Sequence, residues 1–347
     1  MSPREIAESS QLVVSSYKEL VQGALSLRND DYRGLMLDIL RDPRITFPES
    51  YRDDGDREEV RAELVRAGYL EEGYSIDLLL PRDNLSPQAY ISAPQSHEDW
   101  YNCHPGGLAI TCAVNSRLSE YHTMLYQHRY GVPVDRDLAL AALTIHEYPK
   151  AWIYAWNADG SYRKEPRAMG GNLHTHTLHV VAEMLHRGAP TEMVIAVAAC
   201  HAFGSAEFYE DEAAGETRVR WPGYAAVASF LHGGAILART DPVERGILER
   251  GSDGQLHLRA QPVEIWNCNL SDMNWPYTIG AAHTYTFPLL AELASSIYGI
   301  GSPETAEFRQ LKNYVYAQVG QIALYELLVR DGREAVADVV SALVGKD

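Results

Sequence analysis

A mainly α-helical protein is what this sequence predicts, and three observations carry that expectation. Apolar residues return at helical spacing along most of the 347 residues. Strand-like patterning is confined to two short stretches built around glycine-containing turns. The apolar fraction, 46%, is enough to bury one large core or two smaller ones.

Taken in order, the opening stretch "IAESSQLVVSSYKELVQGAL" places apolar residues on one helical face within the first 30 residues. The same period returns in 57–68, 107–129, 136–156, 175–187, 191–203, 222–240 and 304–344. Between them, "EFYEDEAAGETRVRW" (207–221) and "ILERGSDGQLHLRA" (247–260) set β-forming residues on either side of a turn, the pattern of hairpins. Residues 1–95 contain no histidine, whereas 97–283 contain all 13. That asymmetry divides the chain into an N-terminal helical cover (1–95), a chemical core (96–300) and a C-terminal helix packed on the core (301–347). No flexible linker, internal repeat or low-complexity tract interrupts this order.

Composition narrows the partners. A formal charge of −17 repels phosphate backbones and anionic membrane surfaces, and no lysine- or arginine-rich run offsets it, so a small molecule is the expected partner rather than nucleic acid or membrane. Cys103, Cys112, Cys200 and Cys268 are scattered, without disulfide density or CxxC zinc spacing, and read as reduced thiols. The start "MSPREIAESSQL" has no apolar signal core, and no stretch reaches the roughly 18 uncharged apolar residues of a spanning helix. A cytoplasmic protein is expected, with a homo-oligomer compatible with this composition.

Chemistry-bearing residues cluster in five segments. "RDLALAALTIHEYPKAWIYAW" reads as one helix carrying His146, Glu147 and Lys150, with Lys150 on the His146 face, one turn on. The bland alternative is a surface-edge His and Glu with a solvated Lys. "GGNLHTHTLHVVAEMLHRG" supplies His174, His176, His179 and His186, the last suited to a helix C-terminus. His201 ends the almost wholly apolar "TEMVIAVAACHAF", where a lone buried His is ordinarily a hydrogen-bonded core residue. "YNCHPGGLAITCAVNSRLSEYH" brings His104 and Thr111, and "NLSDMNWPYTIGAAHTY" brings Asp272, Trp275 and His283, with Asp272 also readable as a helix N-cap.

In order, His104 or Thr111, then His146-Glu147, His176, His201 and Asp272 resemble the ligand succession His, His-Asp, His, His, Asp of the HD-domain superfamily, across roughly residues 100 to 280. The resemblance implies an all-α HD-domain core that gathers ligands from separate helices at one metal centre, usually for phosphoester hydrolysis. It implies metal ligands at His146, Glu147, His176, His201 and Asp272, and catalytic roles for Glu147, Lys150 and His176. Lys150 matches the family's His-Asp-x-x-Lys, whose lysine lies near substrate phosphate. Two departures stand out. Glu147 replaces the family's Asp, and Thr111 stands where a histidine ligand commonly follows the Pro-Gly-Gly-Leu turn, with His104 as the candidate substitute. By resemblance the first ion would use the first His, His146, the bridging acid and Asp272, and the second would use the bridging acid, His176 and His201; only the second set is complete.

Three readings follow. The first is a hydrolase with one or two divalent ions (Fe, Mn, Mg or Zn) acting on a small anionic or phosphorylated metabolite, with Lys150, Arg163, Lys164 and Arg167 available to hold the anion. The second is a metal-free enzyme of the same fold, a lyase or isomerase using His/Glu acid–base chemistry, or a small-molecule binding protein. The third is a diiron oxygenase similar to myo-inositol oxygenase. Substrate contacts are expected from Lys150, His104, Thr111, His179, Trp275 and His283. Trp152, Trp156, Trp266, Trp275 and Tyr277 could wall an organic substrate, their alternative being core packing.

Overall fold

The computed structural model describes residues 1–80, 88–97, 100–166, 174–202, 207–211, 215–220, 223–260, 262–273 and 278–345. It is an all-α fold with two antiparallel hairpins. The first 30 residues form two helices, α1 (Pro3–Ser9) and α2 (Gln11–Leu25). Ser2 and Glu5 cap α1 reciprocally, and the Ser10 hydroxyl both caps α2 and donates to Ala317 O at 2.6 Å. α3 (Asp30–Arg41) was not among the expected helices. Its signal was present in Asn29, which caps it, and in the inward series Tyr32, Met36, Ile39, Leu40. α4 (Asp54–Arg66) follows.

The central helices are α5 (Gly107–Leu125), α6 (Arg136–Ile145), the single turn α7 (Lys150–Ile153), α8 (Thr175–His186), α9 (Thr191–Ala199) and α10 (Gly223–Leu237). β1 (Glu207–Asp211) pairs with β2 (Glu216–Arg220), and β3 (Leu248–Arg250) with β4 (Leu256–Leu258), where hairpins are expected. α11 (Glu264–Asp272), α12 (Gly280–Tyr298), α13 (Ala306–Val319) and α14 (Gln321–Val344), kinked at Gly332, complete the chain. α11 and α12 lay outside the sequence expectations.

Two glycines let backbones approach where a methyl would collide. A Cβ on Gly107 would sit 1.8 Å from Asn102 O, which fixes the turn entering α5. One on Gly234 would sit 2.3 Å from Val181, so α10 lies directly against α8. One apolar cluster runs from Leu20 to Cys268 and draws on α2, α3 and α4 as well as the central helices, so residues 1–95 share a core with the histidine-bearing segment. A second joins Cys103 to α12, α13 and α14. No helix among the described residues is long and apolar enough to cross a membrane.

Candidate metal centre

The helix expected over 136–156 breaks at the residues that matter most. Continuing α6 would require Pro149 to donate a hydrogen it lacks and would drive its ring against the Ile145 carbonyl, four residues earlier. α6 therefore stops at Ile145, and His146 to Pro149 form a tight turn in which Tyr148 N returns to Ile145 O at 3.0 Å. His146, Glu147 and Lys150 accordingly do not share one helical face. The turn nonetheless carries all three inward, at 0%, 0% and 3% exposure, which sets aside the solvated surface alternative.

Three other elements meet this turn. α11 contributes Asp272 as its last residue, which corrects the N-cap reading. His201 lies just past the end of α9, and His176 in the first turn of α8. His146 Nε2 is 3.2 Å from Asp272 Oδ1 and 3.9 Å from Glu147 Oε1. His201 Nε2 is 3.3 Å from Glu147 Oε1 and 3.6 Å from Asp272 Oδ2. Ligand atoms of His146, Glu147, His201 and Asp272 all lie within 4.8 Å of one another, a buried group that could hold a metal ion. His176 flanks it, its Nε2 3.2 Å from Glu147 Oε2 and 3.2 Å from His201 Nε2.

Hydrogen bonds outside the group set the tautomers. Leu143 O can only accept, so at 2.9 Å it takes the hydrogen of His146 Nδ1 and leaves Nε2 facing the acids. Glu165 Oε1 does the same for His176 Nδ1 at 2.7 Å, and also accepts from the His176 backbone N at 2.9 Å, capping the start of α8. Tyr154 OH donates to the other Glu165 oxygen at 3.2 Å. With its hydrogen on Nδ1, His176 Nε2 has none to give Glu147, so the 3.2 Å approach is not a hydrogen bond. Consistent with this, Glu147 Oε2 and Asp272 Oδ2 are buried without a hydrogen-bond donor among the described residues. Two imidazole nitrogens and two carboxylates, with two bare buried oxygens, form a donor set that could hold a metal ion.

Charge follows the same geometry. Burial alone would raise the Glu147 carboxyl, but Lys150, His201 and His176 outweigh it and hold it well below the usual range. Burial also opposes ionisation of Asp272; His146 and His201 overcome it and bring the pKa down. Burial disfavours charge on His146, yet Asp272 and Glu147 outweigh it and raise its pKa. In His176 burial prevails, aided by Lys150, and the pKa falls despite Glu165. In His174, beside the rings of His176 and His201, burial and those two neighbours push it down to about 3.

Three residues at the centre escaped sequence reasoning. Gln95 Nε2 donates to Glu147 Oε1 at 2.5 Å, Asn115 Nδ2 donates to Asp272 Oδ1 at 2.6 Å, and Glu165 holds His176. None belongs to a recognisable spacing; only Asn115, one turn after Thr111 on α5, had a positional hint.

Other expected contacts go elsewhere. Thr111 Oγ1 accepts from Asn102 Nδ2 at 2.8 Å and donates to Gly107 O at 3.0 Å, so its hydroxyl is committed within the α5 entry turn. His104 does not replace the missing ligand: its Nδ1 lies 3.1 Å from Pro105 O and its ring packs on Tyr316. His179 bonds Leu79 O at 2.8 Å between Phe47 and Trp152, and His283 Nδ1 accepts from Gln321 at 2.6 Å. Trp152 and Trp156 pack against His179 and Tyr162, and Trp266 against Tyr224, the core alternative in each case. Arg163 donates to the carbonyls of Ile153 and Trp152. Trp275, Tyr277 and Arg167 lie outside the described residues.

No family model matches the chain, and no solved structure matches it. Among curated proteins it is similar to a dihydroneopterin 2',3'-cyclic phosphate phosphodiesterase from Methanocaldococcus jannaschii, 23% identical over 184 residues. That match spans 53% of this chain and 59% of the relative, so the chain has a distant phosphodiesterase relative and covers less than two thirds of its length.

Proposed function

We propose that the chain is a metal-dependent phosphoester hydrolase of the HD type acting on a small phosphorylated organic metabolite. The observation that carries this reading is the buried group His146, Glu147, His201 and Asp272, with its two bare carboxylate oxygens. His146, Glu147, His201 and Asp272 would hold a divalent ion, which would supply a Lewis acid for the phosphoryl group and an acidified water. The chain's own groups do the rest. Leu143 keeps the His146 lone pair turned inward, while Gln95 and Asn115 fix the acids. Lys150, 2.6 Å from Glu147 Oε1, offers an ammonium to the anionic oxygens of the substrate, and His176 Nε2 stands ready to carry a proton. The name of the distant relative makes a 2',3'-cyclic phosphate the first substrate to try.

The test is hydrolysis of 2',3'-cyclic phosphates and bis(p-nitrophenyl) phosphate by chelated protein reloaded with Mn, Fe, Zn or Mg. Turnover that chelation removes and reloading restores is expected, with Lys150→Met raising KM. Absence of phosphoester cleavage with every metal sinks the reading.

A second reading has one observation of its own. Lys150, Gln95 and Asn115 already place donors on both acids, an arrangement that suits acid–base chemistry without metal. Activity indifferent to chelator would select it.

A further inference from the structure

A chain of buried hydrogen bonds ties the centre to the C-terminal helices. Gln321, the first residue of α14, makes three bonds with its amide: Oε1 accepts from Asn102 N at 2.5 Å, and Nε2 donates to Trp100 O at 3.1 Å and to His283 Nδ1 at 2.6 Å. A backbone N–H can only donate and a backbone carbonyl can only accept, so this amide has one orientation. The residue it grips is strained. Asn102 has φ +45°, in the left-handed region that asparagine enters more readily than most residues but still at a cost.

The other side of Asn102 leads to the acids. Asn102 O accepts from Gln95 N at 3.0 Å, and Gln95 Nε2 donates to Glu147 Oε1 at 2.5 Å and to Tyr101 OH at 3.2 Å. Both amide hydrogens of Gln95 are thereby used, while its buried Oε1 has no donor among the described residues. Turning this amide over would set the bare oxygen against the Glu147 carboxylate, acceptor against acceptor. Lys150 reaches the same Glu147 oxygen from three residues along the same turn, so Gln95 is the donor that ties this oxygen to a distant part of the chain. Where Glu147 stands therefore depends on where the backbone at Gln95 stands.

We infer that Gln321 is a positioning residue for the centre: from α14 it fixes the left-handed Asn102, whose carbonyl sets Gln95, whose amide holds Glu147 in place for an ion. The inference rests on the metal-hydrolase reading above. It gives α14, which lies beyond the resemblance at residues 100 to 280, a part in the site as well as in packing.

The test is a double-mutant cycle read by Mn2+ affinity, from calorimetric titration of chelated full-length protein, and repeated with Zn2+. Gln321→Met removes the acceptor of Asn102 N and should weaken ion binding by about 10-fold, the lower end for a partner outside the ligands. Gln95→Met should weaken it by about 10–100-fold. Because Gln321 acts through Gln95, adding Gln321→Met to Gln95→Met should change the affinity by less than about twofold, whereas a general loosening of the fold would multiply the two effects. Gln321→Glu keeps an acceptor oxygen for Asn102 N and should bind within about threefold of wild type.

Wild-type affinity in Gln321→Met, or multiplied effects in the double variant, overturns the inference and leaves the hydrolase reading intact. A defect in Gln321→Glu equal to that of Gln321→Met overturns the role given to the Oε1 acceptor. A wild type that takes up no ion under Mn2+, Fe2+ and Zn2+ alike overturns the metal reading and the inference with it, whereas a bound ion without phosphoester cleavage overturns the hydrolase reading alone. Should Gln321→Met fail to fold, Gln321→Asn, one methylene short of the same bond, carries the same cycle.

Discussion

Two buried polar regions of this molecule both contain histidines, and among the described residues one of them groups its histidines with acids in an arrangement that could hold a metal ion. In the centre, His146 and His201 face Glu147 and Asp272, with carboxylate oxygens that have no hydrogen to accept. In the region joining the 100–106 segment to α12–α14, His283 accepts from Gln321, Gln321 Oε1 accepts from Asn102 N at 2.5 Å, and His104 packs on Tyr316. There the histidines meet an amide, a carbonyl and a phenol ring, with the buried Lys312 ammonium 3.7 Å from Cys103 Sγ in the same region. Buried histidine alone therefore says little; the acids opposite it convert a structural network into a site. Glu183 shows the reverse, a buried acid saturated by Thr46, Phe47 N and Arg187, with no oxygen left for a ligand.

The sharpest way to break this contrast is to neutralise one acid of the centre. Asp272→Asn keeps the shape but gives a donor to a place that needs an acceptor. Bound metal should disappear and turnover fall by about 100-fold or more. His283→Gln, in the other region, should leave the metal count unchanged. Equal loss of metal in both variants would erase the distinction.

A pH titration next separates His146, beside its acids, from histidines buried without them. Burial lowers His104 and His179 from an ordinary 6.5 to about 4, whereas His146, beside its acids, shifts upward. A folded pKa below the unfolded one gives stability that is fully present above pH 6.5 and drains away as pH falls towards 4, because the unfolded chain takes the proton first. The gap corresponds to roughly 3 kcal/mol for each residue at the acid end. His179→Phe, set among Phe47 and Trp152, should make the unfolding free energy shallower by about one proton between pH 6.5 and 4, read by urea denaturation. An unchanged slope would mean that His179 is charged in the fold.

Glu165 tests how far the centre extends. Glu165→Leu removes the acceptor that holds His176 Nδ1 and should cost about 10–100-fold in metal affinity or turnover. Glu165→Gln, which can still accept that hydrogen through its carbonyl, should recover most of it. Matching defects in both variants would show that the charge of Glu165 matters rather than its grip on the tautomer.

These residues also mark what could be read in the sequence. The order of His146-Glu147, His176 and His201 was visible because each sits in or beside an apolar helix whose period is strong, whereas Asp272, at the end of the unexpected α11, was legible only through the family resemblance. The break after Ile145 was readable as well, since Pro149 forbids the longer helix, yet apolar periodicity overrode that signal. Gln95, Asn115 and Glu165 were not readable, because their partners lie 52, 157 and 11 residues away and an amide or a loop acid has no distinguishing pattern. The destination of Thr111 was hidden for the same reason. Its partner Asn102 is brought to it by the tight Gly106-Gly107 turn rather than by any helical spacing.

Thr111 yields the smallest expected effect and the finest test of the contrast, since it sits on α5 between the two regions: Asn102 on one side leads to Gln321, and Asn115, one turn along, leads to Asp272. Thr111→Val preserves shape but leaves the buried Asn102 amide without this acceptor, at a cost of about 1–3 kcal/mol in unfolding free energy. If Thr111 belongs to the Gln321 region, the variant should lose that stability while metal count and kcat stay within about twofold of wild type. Thr111→His, which would install the histidine that the HD-domain pattern carries at this position, must break the same bond and fit an imidazole beside Asn102, so it should destabilise without raising bound metal above the wild-type value. A rise in bound metal with undiminished stability would show that the α5 turn has room for a ligand, and the boundary between the two regions would then have to be redrawn to include Thr111 in the centre.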